Sequence, residues 1–176
     1  MKVLIVYGTN STGTLDVAEI IRDVFVEKAH SVELLSASSV KPGDLKHHDL
    51  AILGSCSWMR MDGDTFLDGQ LQEEMFRFVS LLEGKTFHKQ RFAVFGLGDS
   101  RYDQFCASAD HLEHLVERVG GKKLGTTLRI DKFFFNLGEN RRAAEWWARH
   151  LERLLAAGYN EPAPKLRSIA KTPTLT

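Results

Sequence analysis

Short, unbroken apolar runs alternate with longer amphipathic stretches along most of this chain. The first run, Val3-Leu4-Ile5-Val6-Tyr7, is rich in β-branched residues and shows no polar alternation, the pattern of a strand buried on both faces. Leu15, Ala18, Ile21, Val24 and Phe25 then recur at helical spacing, which predicts a helix over 14–28. A short strand is expected over 31–35, with a loop through Lys41-Pro42-Gly43 behind it. Leu50-Ala51-Ile52-Leu53 predicts the next buried strand, ending at Gly54, and 55–69 reads as a long polar loop. Leu71, Met75, Phe78, Val79 and Leu82 share one helical face. Phe92-Ala93-Val94-Phe95 predicts another buried strand, running into Gly96-Leu97-Gly98-Asp99-Ser100. A clean apolar stripe follows in Phe105, Ala109, Leu112, Leu115, Val116 and Val119. The last strand is expected within 124–130, before a helix carrying Ala144, Trp147, Leu151, Leu154 and Leu155.

Strands apolar throughout, alternating with helices, predict an α/β domain: a doubly wound, five-stranded parallel sheet with five helices on both faces. Ligands in such sheets bind beyond the carboxyl ends of the strands. Three loops, after strands 1, 3 and 4, therefore converge on one edge. Three of the four prolines lie near the C-terminus, which places the domain at 1–157 and a tail at 158–176.

A chain of 176 residues buries its own core as one domain. Two cysteines make no disulfide framework, so a reducing, cytoplasmic setting is expected. No apolar stretch approaches the roughly 20 residues of a membrane span, and the N-terminal run is too short for a secretory signal. Formal charge is zero, with +2 on the tail and −2 on the rest. No basic block interleaved with aromatics suggests nucleic acid, and that class is set aside.

Candidate chemistry begins at Gly8-Thr9-Asn10-Ser11-Thr12-Gly13-Thr14, between the first strand and its helix. A helix start offers unpaired N–H groups and a partial positive charge, and hydroxyl side chains add donors, so the arrangement binds phosphate. No Gly-Lys-Ser/Thr follows and the glycine spacing is not that of a dinucleotide fingerprint, which favours a monophosphate. Trp58 and Tyr102, on two further loops, could sandwich a flat heterocycle above it. The same residue types also serve as ordinary helix caps and loop covers.

Taken together, these residues resemble the flavodoxins of the short-chain type. The likeness is carried by Leu-Ile-Val-Tyr-Gly before the first loop and by Leu53-Gly54-Ser55-Cys56-Ser57-Trp58. The stretch from Phe95 to Cys106 (FGLGDSRYDQFC) and Leu128-Arg129-Ile130-Asp131 complete it, over about residues 1–157. Flavodoxin is itself the reference case for FMN at the switch point between strands 1 and 3. The resemblance implies strand order 2-1-3-4-5 and FMN as cofactor. Its phosphate would lie on Thr9, Asn10, Ser11, Thr12, Gly13 and Thr14, and its ring between Trp58 and Tyr102. Ser55, Cys56 and Ser57 would border the ribityl chain and ring edge. Gly98 with Asp99 would back the pyrimidine end, and Met59, Leu97, Gln104, Phe105 and Cys106 complete the cofactor-binding candidates. One-electron transfer between a flavodoxin reductase and an acceptor protein is the implied function, by a monomer that is no enzyme and holds no metal. The cofactor supplies that chemistry while the protein tunes it.

The chain departs from the family in three places. Anchored on Thr12-Gly13, the family's hydroxyl pattern puts Asn10 and Leu15 where hydroxyls are usual, and the loop is one residue longer. After Trp58 the usual Gly-Asp pair is replaced by Met59-Arg60-Met61 in an extended loop, unless Gly63-Asp64 takes its role. That replacement implies weaker stabilisation of the one-electron-reduced flavin. Arg60 and Arg101 are expected to flank the ring and make the second reduction step less negative.

Other features read as structural. His111 and His114 stand three apart without a third ligand, and Asp62-Gly63-Asp64 reads as a turn. Cys56 reads as a small buried spacer, while Phe133-Phe134-Phe135 covers the sheet's lower part or forms a contact patch. Two rival readings remain: an NAD(P)H-dependent quinone or flavin reductase on the same fold, and a non-redox binding module that has lost FMN. A response-regulator receiver is rejected, because Tyr7 and Gly8 stand where its acidic pocket belongs.

Overall fold

A computed structural model describes residues 1–158. The first apolar run forms β1 (Lys2–Gly8), followed by α1 (Gly13–Glu27) and β2 (Ser31–Ser36). Next come β3 (Leu50–Asp62), β4 (Thr65–Leu71), α2 (Glu73–Ser80) and β5 (Arg91–Gly98). The chain continues through α3 (Ala107–Arg118), two short strands β6 (Lys122–Lys123) and β7 (Leu128–Asp131), and α4 (Leu137–Ala156). The parallel strands stand in the order β2-β1-β3-β5, with β6 and β7 both on the outer edge of β5. Counting that broken edge as one strand, the order is the expected 2-1-3-4-5.

Alternation along the strands divides the core in two. Val3, Ile5, Leu50, Ile52, Ala93 and Phe95 meet α1 and α4 on one face. Leu4, Val6, Ala51, Leu53, Phe92 and Val94 meet α2 and α3 on the other. Helices on both faces are the reason these strands carry no polar residues. Gly54 is required here, because a Cβ on it would lie 1.9 Å from the Phe95 ring.

Three expectations are corrected. Four α-helices, not five, occur among the described residues. The crossover from β2 to β3 is made by two 3₁₀ turns, Ala37–Ser39 and Asp44–His47. Ser36 Oγ bonds the hydroxyls of Ser38 and Ser39, and Pro42-Gly43 follows, so hydroxyl competition and proline displace a helix there. The last strand is broken at Gly125, whose φ of +69° takes the chain out of the ladder. The supposed loop 55–69 is the third: β3 runs on to Asp62 and pairs antiparallel with β4 as a ribbon. Its two-residue turn has Gly63 first with φ +57°, as a hairpin turn of the primed kind requires. Of the tail expected at 158–176, everything from residue 159 lies outside the described residues.

Candidate functional site

The turn from β1 into α1 is the first wall of the site. Gly8 comes so close to the start of α2 that a Cβ would stand 2.6 Å from Gln72 Oε1. Thr12 is held at φ 30°, a strained value for a β-branched residue. The Gly13 N–H donates to the Ser11 carbonyl and the Asp16 N–H to the Thr12 carbonyl. No side chain caps α1, leaving its first turn without the partner such termini normally acquire. Two hydroxyls in this turn, Thr9 Oγ1 and Thr14 Oγ1, are buried with no hydrogen-bond partner. Buried polar atoms are rarely left this way, and the cost of each is on the order of 1–3 kcal/mol.

The carboxyl ends of β3 and β5 form the floor. Ser55 is fully buried; its hydroxyl donates to the Cys56 carbonyl (3.0 Å) and accepts the Gln72 N–H (3.1 Å). Ser57 Oγ accepts the Ser108 N–H (3.0 Å), satisfying the start of α3, and donates to Ser108 Oγ (3.1 Å). Cys56 lines the cavity beside Ser57, and burial pushes the pKa of its thiol up. Cys106, at φ 50°, donates its thiol to the carbonyls of Gly96 and Ile130, and burial pushes it up to about 12. Neither thiol is a ready nucleophile.

The upper walls are exposed. Trp58 and Tyr102 are 52% and 63% accessible, from the β3–β4 ribbon and the β5–α3 loop respectively. The ribbon pairs Trp58 with Gln70 and Arg60 with Leu67, so Met59 stands opposite both Asp68 and Gly69. This bulge, with Gly69 at φ +65°, aims Asp68 into the site. Gly63-Asp64 is at the ribbon's tip, outside the cavity lining.

These walls enclose a cavity of about 420 Å³. Twelve of the sequence-derived candidates line it: Ser11, Gly13 and Thr14; Cys56, Ser57, Trp58 and Met59; Leu97, Gly98, Asp99, Tyr102 and Gln104. Thr9, Asn10, Thr12, Ser55, Phe105 and Cys106 are outside the lining. Ser55 and Cys106 are excluded because each is spent on backbone hydrogen bonds behind the floor.

The cofactor-binding set read from the sequence leaves out five residues of the lining: Asp68, Lys132, Phe133, Phe134 and Phe135. The three phenylalanines belong to the β7–α4 turn at the carboxyl edge, not to the sheet's lower part. Their run was visible in the sequence, but its place depends on α4: Asn140 Nδ2 donates to the carbonyls of Asp131, Lys132 and Phe133.

The two arginines are also placed differently from expectation. Arg60 lies over the Phe76 ring, 3.8 Å from its centroid, on the α2 side of the ribbon. Arg101 pairs with Asp99 (Nη2–Oδ2 2.5 Å) and stands 5.3 Å from the centroid of Phe135. The hydrogen bond from Arg101 holds the Asp99 carboxyl down at about 2. Neither guanidinium lines the cavity. Asp131 is lowered by its hydrogen bonds from Ser100, whose hydroxyl also accepts from Lys132 (2.8 Å). His111 bonds the Gly69 carbonyl (3.1 Å), and no cluster of metal-ligating side chains occurs among the described residues.

Comparison with known proteins adds a family. Residues 5–146 match the family model described as Flavodoxin. The chain is 35% identical over 131 residues to the flavodoxin of Nitratidesulfovibrio vulgaris, covering 74% of this chain and 84% of that protein. It is 32% identical over 131 residues to the flavodoxin of Maridesulfovibrio salexigens, covering 74% and 86%. The structure superposes on Fusobacterium nucleatum flavodoxin bound to flavin mononucleotide with a TM-score of 0.71 at 15% identity, over 86% of this chain and 97% of that one.

Proposed function

The chain belongs to the flavodoxin family, and from that premise we propose that it binds FMN in this cavity and carries single electrons between proteins. One observation carries the reading. The Thr14 hydroxyl is buried and unpartnered at the start of a helix that has no side-chain cap. A phosphate seated there would accept from that hydroxyl and from N–H groups of the first turn of α1 beyond Gly13, whose own N–H is taken by the Ser11 carbonyl, in the field of the helix dipole. Ser11 and Gly13 complete the phosphate end of the lining. A volume of about 420 Å³ is within the range of sites that take a small cofactor.

The remaining residues suit a flat ring and its linker. Trp58 and Tyr102 offer aromatic faces, Cys56 and Ser57 border the middle, and Gly98 with Asp99 closes the far side. Arg101 neutralises Asp99, so the carboxylate charge that this wall presents is reduced. Bound FMN supplies the redox chemistry, and no side chain needs to act as acid, base or nucleophile. The chain's part is to hold the cofactor, to limit water around it, and to leave one edge open to a partner. Two free thiols suit a reducing compartment. No helix among the described residues is long and apolar enough to cross a membrane.

The test is spectroscopic. Purified protein mixed with FMN and then freed of excess is expected to stay yellow, with quenched flavin fluorescence. It should then be reduced by NADPH together with a flavodoxin reductase, and not by NADPH alone. A colourless protein overturns the FMN reading. Steady NADPH oxidation by the isolated protein overturns the carrier reading in favour of a reductase.

A further inference from the structure

We propose that Phe134 covers the phosphate end of the cavity, resting a bound FMN phosphate against the start of α1 and slowing its release. This rests on the FMN reading above. The Phe133-Phe134-Phe135 run has no part in that reading, yet it supplies a whole wall of the cavity. A Cβ on Gly13, the first residue of α1, would lie 3.3 Å from Cε2 and Cζ of Phe134 and 3.2 Å from Cδ1 of Phe133. The ring edges therefore lie over Gly13 at the helix start, next in the chain to Thr14 with its buried, unpartnered hydroxyl.

Phe134 is braced where it stands. Phe133 behind it is buried at 4% exposure, and the two rings meet edge to face with centroids 5.2 Å apart. The turn is fixed by Lys132 N–H to the Gly98 carbonyl (2.9 Å), Phe135 N–H to the Lys132 carbonyl (2.9 Å), and the Asn140 amide. Phe134 itself remains 55% exposed. An aromatic ring fixed in that position contributes little to the core, and its contact with Gly13 puts its apolar edge beside the anion seat.

The physics favours retention. An apolar ring beside a phosphate displaces water, and N–H and O–H bonds to the anion strengthen as the local dielectric falls. Only Ser11 and Thr14 bring hydroxyls into this end of the lining, so the cover offsets a sparse donor set. Differences of this kind are expressed chiefly in the dissociation rate.

The full chain loaded with flavin is tested as wild type, Phe134→Ala and Phe134→Leu, following release by recovery of flavin fluorescence. FMN and riboflavin are compared, since riboflavin lacks the phosphate. Phe134→Ala is expected to release FMN about tenfold faster, and more so at raised salt, because an uncovered ion contact is screened. Riboflavin release should stay within about twofold, and Phe134→Leu should restore slow FMN release, since leucine keeps apolar cover. FMN release within about twofold of wild type in Phe134→Ala overturns the inference. Equal acceleration of FMN and riboflavin overturns it too, by placing the ring at the isoalloxazine. Wild-type protein that takes up no FMN overturns the parent reading and this inference with it, a result distinct from either.

Discussion

The two ends of the cavity are built on different plans. The end at α1 is the more closely packed one: the Thr9 and Thr14 hydroxyls are buried, the backbone turn is hydrogen-bonded, and buried Phe133 with half-exposed Phe134 lies against Gly13, while Ser11 stays at the surface. The end at Trp58 and Tyr102 is open, with both aromatics more than half exposed on a ribbon and a loop that stand clear of the core. Enclosure strengthens polar contacts to a charged group, whereas exposure gives a partner protein access to whatever lies between the aromatics. The contrast teaches a division of labour: affinity belongs to the closed end and electron exchange to the open one.

The largest effect is expected from breaking the closed end. Thr14→Val keeps the shape and removes the hydroxyl; a lost hydrogen bond to a charged group is worth about 1.5–3 kcal/mol, so FMN should bind roughly tenfold to a hundredfold more weakly. Riboflavin affinity should not change, and fluorescence titration of both ligands checks this. Trp58→Ala, at the open end, should weaken FMN and riboflavin alike by only about two- to tenfold, the scale of aromatic stacking at about 0.5–1.5 kcal/mol. A loss specific to FMN would contradict the placement of Trp58.

Smaller again is the effect of Arg60→Ala. Removing its contact with Phe76 should lower thermal stability by about 2–4 °C, the equivalent of about 1 kcal/mol in a domain of this size. FMN affinity should hardly move, because the guanidinium points away from the cavity. Calorimetry of the loaded and unloaded variant separates the two quantities.

The smallest effect concerns pH at the open end. Arg101 depresses Asp99 to about 2 in the folded protein, against about 3.9 for an ordinary aspartate. A group depressed on folding stabilises the fold above its unfolded value, and that contribution disappears as pH falls through the folded value. The stability contributed by the Asp99–Arg101 pair should therefore be constant from pH 8 to pH 5 and fade between about pH 4 and 2, with the carboxyl of the folded protein titrating near 2. Carboxyl NMR titration of Asp99 measures it directly, and a midpoint near 4 would show that the pair does not hold in solution.

What the sequence made legible follows the same division. The closed end's turn was marked by a β-branched run, a hydroxyl-rich loop and a helix-period stripe, all local signals. The parallel sheet was equally plain, because strands covered on both faces leave no polar positions. The β3–β4 ribbon was hidden for the opposite reason. From Ser57 to Asp62 no residue is buried, so the ribbon lacks the continuous apolar run that marks the strands covered on both faces. The break at Gly125 and the route of 133–135 depend on contacts with Trp147 and Asn140 on α4, which local patterns do not encode. Ser55 was placed in the site by its motif, yet hydrogen bonds to Cys56 and α2 hold it behind the floor.

The most direct test of the account is the ratio of FMN to riboflavin affinity in the wild-type chain, measured by quenching of flavin fluorescence. If the enclosed turn at α1 holds the phosphate, FMN should bind at least about tenfold more tightly than riboflavin, the yield of one or more charge-assisted hydrogen bonds. Equal affinities would mean that the phosphate makes no productive contact there, and the division between a holding end and an exchanging end would be wrong.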